Sequence, residues 1–362
     1  MTSIKKFFAN VVCGLVPRKE WRHKIRTALT REKIYYSPLN NFGNYVREGS
    51  NPVFYLKMNQ SAQYSFLCLQ HWINITDVLD ADFWIICDKE ELAHEILNRI
   101  QSQKRKIKFL RSVKKPLRNI VKNVLSRDCN IAYSHLTTFY HAKQNGIENF
   151  WNIDADDTML LAEPSVAAKM LTEAQNYANK NSVDIFSLDM HRSRTKKQYW
   201  TFGITYTKMQ MVDYFGILES YQNSDWFYNN FHPRLDAYVI DILFGFMDNN
   251  GQLKAKTFYV ENSHFIHFGQ ELTCIAGHGV YYWKNNSLVL PIISEIYRDK
   301  KLGIIPIADD CVKFDLNIKE DDCLKFAKSY VTNFSAWLER LEYYESRTPY
   351  TFNQARRNIH AK

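Results

Sequence analysis

The segment Asn152-Ile153-Asp154-Ala155-Asp156-Asp157-Thr158-Met159-Leu160-Leu161 holds the most chemistry in this sequence. Its carboxylates follow directly on the apolar run Phe150-Trp151-Asn152-Ile153. Acid groups at the end of a buried strand are costly unless a cation joins them. Alternate residues of an extended chain share a face, so Asp154 and Asp156 can point to one place. Two hard oxygen ligands there would hold Mg²⁺ or Mn²⁺ weakly and leave coordination positions for the phosphates of a substrate. The plainer alternative for the same residues is an Asp-rich turn in water.

Such a cluster needs a scaffold, and the hydrophobic pattern supplies one. Residues 52–59 (PVFYLKMN) form an apolar, β-rich run, and 61–79 place Tyr64, Leu67, Cys68, Trp72, Ile75 and Leu79 on one helical face. Residues 81–88 (ADFWIICD) read as a buried strand ending in Asp88, 89–100 as a helix and 107–110 as a further strand. A helix over 131–144, ended by Gly146, leads to the strand before the acidic cluster. Beyond it come a helix opened by Pro164 and strands over 184–190 and 199–211. A helix opened by Pro233 is stopped at 249–251, and 257–268 is extended chain. Residues 321–345 carry an amphipathic helical pattern. Strands alternating with helices predict an α/β fold with a mostly parallel twisted sheet flanked by helices.

Together, the acidic motif and this layout resemble the DXD signature of glycosyltransferases with the GT-A fold. A first strand begins near Pro52, a second ends at Asp88, and the Asp motif follows about 100 residues after the first strand. The resemblance implies that Asp154 and Asp156 hold Mn²⁺ or Mg²⁺, which binds the diphosphate of a nucleotide-sugar donor such as a UDP-sugar. It implies that Asn59 and Asp88, at the ends of the first two strands, lie near base and ribose. The segment His264-Phe265-Ile266-His267-Phe268-Gly269 looks like the His-Phe segment that supplies a third metal ligand in some retaining members, with His267 favoured over His264. The Lys-Pro-Trp tail usual in those members is absent here. An inverting member also needs a carboxylate to take the proton of the acceptor hydroxyl. Asp236, just inside the helix after His232-Pro233-Arg234-Leu235, is the candidate base, with Glu219, Asp225 and Asp241 as alternatives. The aromatics of 199–231 (Tyr199, Trp200, Phe202, Tyr206, Trp226, Phe227, Tyr228) are candidates for stacking on sugar rings.

A second chemistry fits the same residues. Asp154-x-Asp156-x-Thr158 also resembles the motif of haloacid-dehalogenase-type phosphatases, with Ser187, Lys254 or Lys256, and Asp309-Asp310 as the remaining parts. That family normally has Gly where this sequence has Asp157.

Charge is unevenly spread. Residues 1–50 and 101–127 hold 20 of the 47 Lys/Arg but only 3 of the 38 Asp/Glu, which leaves the rest of the chain net acidic. In 113–125, Val113, Leu117, Ile120, Val121, Val124 and Leu125 recur at helical spacing, with Lys114, Lys115, Arg118 and Lys122 on the other face. Basic amphipathic helices of this kind lie on anionic bilayers, although a surface helix with its apolar stripe on the core has the same pattern. A non-catalytic anionic-lipid-binding protein is therefore a third reading. No nucleic-acid signature accompanies the charge. The apolar N-terminus resembles a secretory signal, but Pro17 and a basic run stand where a cleavage site would be. Seven scattered cysteines without C-x-x-C spacing argue against a zinc site or disulfide scaffold and for a reducing compartment.

The expected organisation is thus a basic, membrane-associating segment 1–50, a GT-A-like catalytic domain 51–270 and a C-terminal extension 271–362, helical at its end. The expected activity is metal-dependent transfer of a sugar to a polysaccharide, lipooligosaccharide or lipid-linked acceptor, at the inner face of the cytoplasmic membrane. Oligomeric state is left open by the sequence.

Overall fold

Strand β1 (Val53–Lys57) is buried at every residue, as its unbroken VFYLK run requires of a strand covered on both faces. A computed structural model describes residues 52–58, 63–100, 107–112, 134, 137–154, 158–188, 203–208, 248, 251–267, 279–284, 287–289, 304–307, 309–319, 321, 322 and 325. Helix α1 (Gln63–Val78) carries the chain from β1 to β2 (Asp82–Ile86), and α2 (Glu90–Arg99) from β2 to β3 (Lys108–Leu110). After α1, Asp80 takes a left-handed φ of 53°, a conformation that Asp tolerates better than most residues. β1, β2 and β3 pair in parallel. The helical segment 137–144 ends at Gly146, whose φ of 62° lets the chain turn into β4 (Asn149–Asp154). β4 then pairs in parallel with the free side of β1.

After β5 (Thr158–Leu160), helix α3 (Pro164–Lys180) leads to β6 (Ile185–Leu188) and β7 (Ile204–Lys208). The remaining strands are β8 (Ala255–Val260), β9 (His264–His267), β10 (Gly279–Lys284), β11 (Ser287–Val289), β12 (Ile304–Pro306) and β13 (Val312–Phe314). The larger sheet has eight strands in the order β13-β8-β6-β7-β4-β1-β2-β3. Every pairing in it is parallel except the two made by β7. A second sheet, β12-β11-β10-β9-β5, is antiparallel throughout. The architecture is α/β, a mostly parallel mixed sheet flanked by helices. Among the described residues no helix is long and apolar enough to cross a membrane.

One face of the large sheet forms the main core. Phe54, Leu56, Trp151, Ile153, Phe186 and Phe258 join Trp72 of α1, Ile96 of α2 and the alanines 167, 174 and 178 of α3 in one buried cluster. Small side chains along α3 bring it close to the sheet, and polar bonds fix its position. Trp151 Nε1 donates to Gln175 Oε1 at 3.3 Å, and the Tyr206 hydroxyl to Asn179 Oδ1 at 3.1 Å. Lys208 Nζ donates to the carbonyl of Ala178 at 3.0 Å, which places a cation at the negative end of the helix dipole. On the opposite face Tyr55 packs edge-on to Phe150 and to His141 of the 137–144 segment.

The elements over 52–110 and 164–208 follow the hydrophobic pattern. Residues 257–268 differ: the extended chain is two strands in different sheets. Asn262, at φ 62°, makes the turn between β8 and β9, and its backbone N–H reaches the carbonyl of Trp283 at 2.9 Å. The helices expected over 113–125 and from Pro233, and the segment 1–50, lie outside the described residues apart from a helical Asp248. Of the helix expected over 321–345, residues 321, 322 and 325 are described, and all are helical.

Candidate functional site

Asp154 is the last residue of β4, at the carboxyl end of the parallel strands, where open α/β sheets gather their ligands. Its register partner on β1 is Lys57, which in turn lies opposite Ile86 on β2. Beyond these ends Met58 N–H bonds the Ile86 carbonyl at 3.0 Å, and Cys87 N–H bonds the Leu110 carbonyl at 2.9 Å. The strand tips of β1, β2 and β3 therefore stay tied together up to Asp88.

At Thr158 the chain is already in the second sheet. β5 pairs antiparallel with β9 in the register Thr158↔His267, Met159↔Ile266, Leu160↔Phe265, so the backbone of His267 lies across from the residue that follows the acidic run. Two contacts hold this junction. Leu161 N–H donates to the His264 carbonyl at 2.9 Å, and Phe265 stacks on Trp283 with ring centroids 4.7 Å apart. From the other side His71 of α1 donates through Nε2 to the Leu160 carbonyl at 2.7 Å. Burial pushes the His71 pKa down to about 4, against a smaller upward pull from that hydrogen bond. The imidazole is therefore neutral near pH 7, with its proton on the Nε2 that faces the carbonyl.

Asp88 lies two residues past the end of β2, and it has a structural partner there. Its Oδ1 accepts the Ser112 N–H at 2.7 Å, while the Ser112 and Ser134 hydroxyls lie 3.1 Å apart. The neighbouring Cys87 is no thiolate nucleophile: burial, the main cause, pushes its thiol up to about 11. His264 is only 1% exposed and belongs to the interior. Asn59, Asp156, Asp157, Glu219, Asp225, Asp236 and Asp241 lie outside the described residues, and Asp154 and His267 are described by backbone position. Among the described residues no group of three or more His, Cys, Asp or Glu side chains is placed to hold a metal ion. Two carboxylates and an imidazole remain a donor set suited to Mn²⁺ or Mg²⁺, and the β5–β9 pairing puts the backbone of His267 opposite Thr158, which follows the acidic run in the sequence.

Among the described residues, several parts of the phosphatase reading stand apart in the large sheet. Asp309 and Asp310 are exposed and precede β13, which stands four strand positions from β4. At the usual strand spacing that is about 19 Å across the sheet. Ser187 lies on β6, two strands from β4, and its hydroxyl is 3.0 Å from that of Thr205. Lys254 Nζ donates to the Asn181 carbonyl at 2.9 Å, just after α3.

Sequence reasoning missed Lys57. It is only 4% exposed and closes β1 beside the residue of greatest interest. The available signal was a single cation ending an otherwise apolar strand, VFYLK. A scan against protein-family models finds none that matches the chain, and a search of curated proteins finds no match to it.

Proposed function

We propose that this protein is a metal-dependent glycosyltransferase that moves a sugar from a nucleotide-sugar, such as a UDP-sugar, to a polysaccharide, lipooligosaccharide or lipid-linked acceptor. The observation that carries the reading is the β5–β9 pairing, with residue 267 opposite residue 158 just after Asp154-x-Asp156 at the carboxyl ends of parallel strands. In this reading Asp154, Asp156 and His267 hold Mn²⁺ or Mg²⁺, and the ion, when bound, offsets charge that builds on the departing diphosphate. Asn59 and Asp88 border the nucleoside, with Asp88 keeping one oxygen on the Ser112 amide. Asp236 takes the proton of the acceptor hydroxyl if the reaction inverts configuration. Cations of the 104–122 stretch add positive charge near the diphosphate, and the basic margins keep the enzyme at the cytoplasmic face of a membrane.

Thermal melting with UDP, with and without Mn²⁺, tests this. The wild type should melt higher with UDP and Mn²⁺ together than with either alone, and Asp156→Ala should remove that increment. Absence of any increment from a panel of nucleoside diphosphates and nucleotide-sugars would reject the reading. Binding to anionic vesicles in its place would favour a lipid-binding protein.

A further inference from the structure

We propose that β13 joins two copies of this chain edge to edge, in a two-fold antiparallel pairing that sets Lys313 of each copy opposite Asp315 of the partner subunit.

β13 closes one end of the large sheet and pairs with β8 alone. Its register is Val312↔Phe258, Lys313↔Tyr259, Phe314↔Val260, and the Glu261 N–H donates to the Phe314 carbonyl at 3.0 Å. Backbone polar groups alternate in direction along a strand, so those of Val312 and Phe314 face β8 and those of Lys313 and Asp315 face away from the sheet. Among the described residues these outward groups make no hydrogen bond. An edge of this kind is a template for another strand.

The side chains choose the partner. Lys313 and Asp315 are exposed, while Val312, Phe314 and Leu316 alternate with them and are half-buried against the core. When two copies pair antiparallel about Phe314, Lys313 meets Asp315 of the partner subunit on the exposed face, twice over. On the other face Phe314 meets its own counterpart, and Val312 meets Leu316 of the partner subunit. The outward groups of residues 313 and 315 then exchange hydrogen bonds, as directly opposed residues of an antiparallel ladder do. Neighbouring registers fail. A slip of one residue sets exposed positions against half-buried ones. A slip of two brings either the two lysines or the two aspartates face to face, and like charges directly opposite are destabilising. A lysine on an edge strand ordinarily blocks pairing, but the acid two residues on makes this edge self-complementary. The paired run 312–316 also stops where the chain bends: Asn317 is left-handed at φ 54°, and its N–H turns back to Asp315 Oδ1 at 3.3 Å. Lys313 Nζ already lies 3.1 Å from Glu261 Oε2 of its own copy, and an ammonium has donors for both acids. So short a run makes a small interface, which implies a weak, concentration-dependent dimer.

Sedimentation velocity of the full chain over a concentration series tests this. The wild type should show a monomer–dimer equilibrium. Lys313→Glu and Asp315→Lys should each weaken it about tenfold or more, because each turns both cross-strand pairs repulsive. An equal mixture of these two variants should associate as the wild type does, since the mixed dimer again sets opposite charges across from each other. Asp315→Pro removes an outward N–H and no bond to β8, so it should abolish the dimer while thermal melting stays close to that of the wild type. If Lys313→Glu does not fold without its Glu261 pair, the two Asp315 variants decide. A wild type that stays monomeric to about 100 μM overturns the proposal and leaves this edge to a different strand. A dimer that none of the substitutions weakens, or a mixture of folded variants that fails to recover association, overturns it as well.

Discussion

At the scale of single residues, the buried imidazoles set an acid limit on this fold. His71 is pushed down to about 4 and His141 to about 3, in both cases chiefly by burial; for His141 the Lys108 charge adds to it. An unfolded histidine titrates near 6.5, so between pH 6.5 and pH 4 the unfolded chain binds more protons than the folded one. Stability therefore falls as pH falls through that window, by about 2 kcal/mol for each histidine at pH 5. His141 shares a 2.7 Å hydrogen bond with the Tyr55 hydroxyl, and His71 holds the Leu160 carbonyl that anchors β5. His71→Gln keeps an N–H for Leu160 and cannot gain a proton, so its loss between pH 7 and pH 5 should be about 2 kcal/mol smaller than that of wild type. His71→Leu leaves the carbonyl unsatisfied and should cost about 1–3 kcal/mol at pH 7 itself. Urea unfolding of the three proteins at both pH values checks this, and an equal pH slope in wild type and His71→Gln would refute it.

Elements differ in how openly the sequence announces them. The β1-α1-β2-α2 block and α3 were legible because each is long or largely apolar on one face or throughout, and their periods of two and 3.6 are distinct. Asp154 and Asp88 were placed at strand ends by the same pattern. Strand β5, Thr158–Leu160, was not legible, since three residues after an acidic run carry no period. Residues 257–268 carry one continuous extended pattern, and only the left-handed Asn262 marks where the chain changes sheets. Four strands between 279 and 314 were missed for a like reason: three of them are only three residues long, and β13 pairs with β8, far back in the sequence. Yet β5 and β9 are what bring His267 to the acidic junction, so the elements hardest to read are those that assemble the candidate site. Phe265, 1% exposed and stacked on Trp283, is the anchor of β9. Truncating it to Ala should cost about 3–5 kcal/mol in denaturant stability. It should also weaken the Mn²⁺-dependent part of UDP binding, although residue 265 is no ligand. Retention of the full increment would mean that β9 does not hold the site.

For the molecule as a whole, part of the uneven charge is used by the fold itself. Part of the basic 101–127 stretch belongs to the sheet. Lys108 Nζ lies 3.2 Å from Asp82 Oδ1 and over the Trp84 ring, and Arg111 reaches Glu90 at 3.6 Å. Half-exposed pairs of this kind add little stability, but they spend those cations on the protein itself. Phe109 and Leu110 of the same stretch are buried in β3, so excising 104–125 would damage the sheet edge and say nothing about lipid. The basic face of the amphipathic pattern, Lys114, Lys115, Arg118 and Lys122, and the basic residues of 1–30 are the cations that the sequence offers an outside polyanion. Neutralising these four to Gln preserves β3 and isolates their contribution. At about 1 kcal/mol for each basic residue at an anionic surface, the quadruple variant should bind phosphatidylserine vesicles roughly a thousandfold more weakly at low salt. Wild-type binding should weaken as salt shortens the screening length, and neutral phosphatidylcholine vesicles should bind neither protein. Vesicle flotation with residues 1–30 present and deleted assigns the remainder. Undiminished binding after both changes would mean that the charge asymmetry serves something other than a membrane.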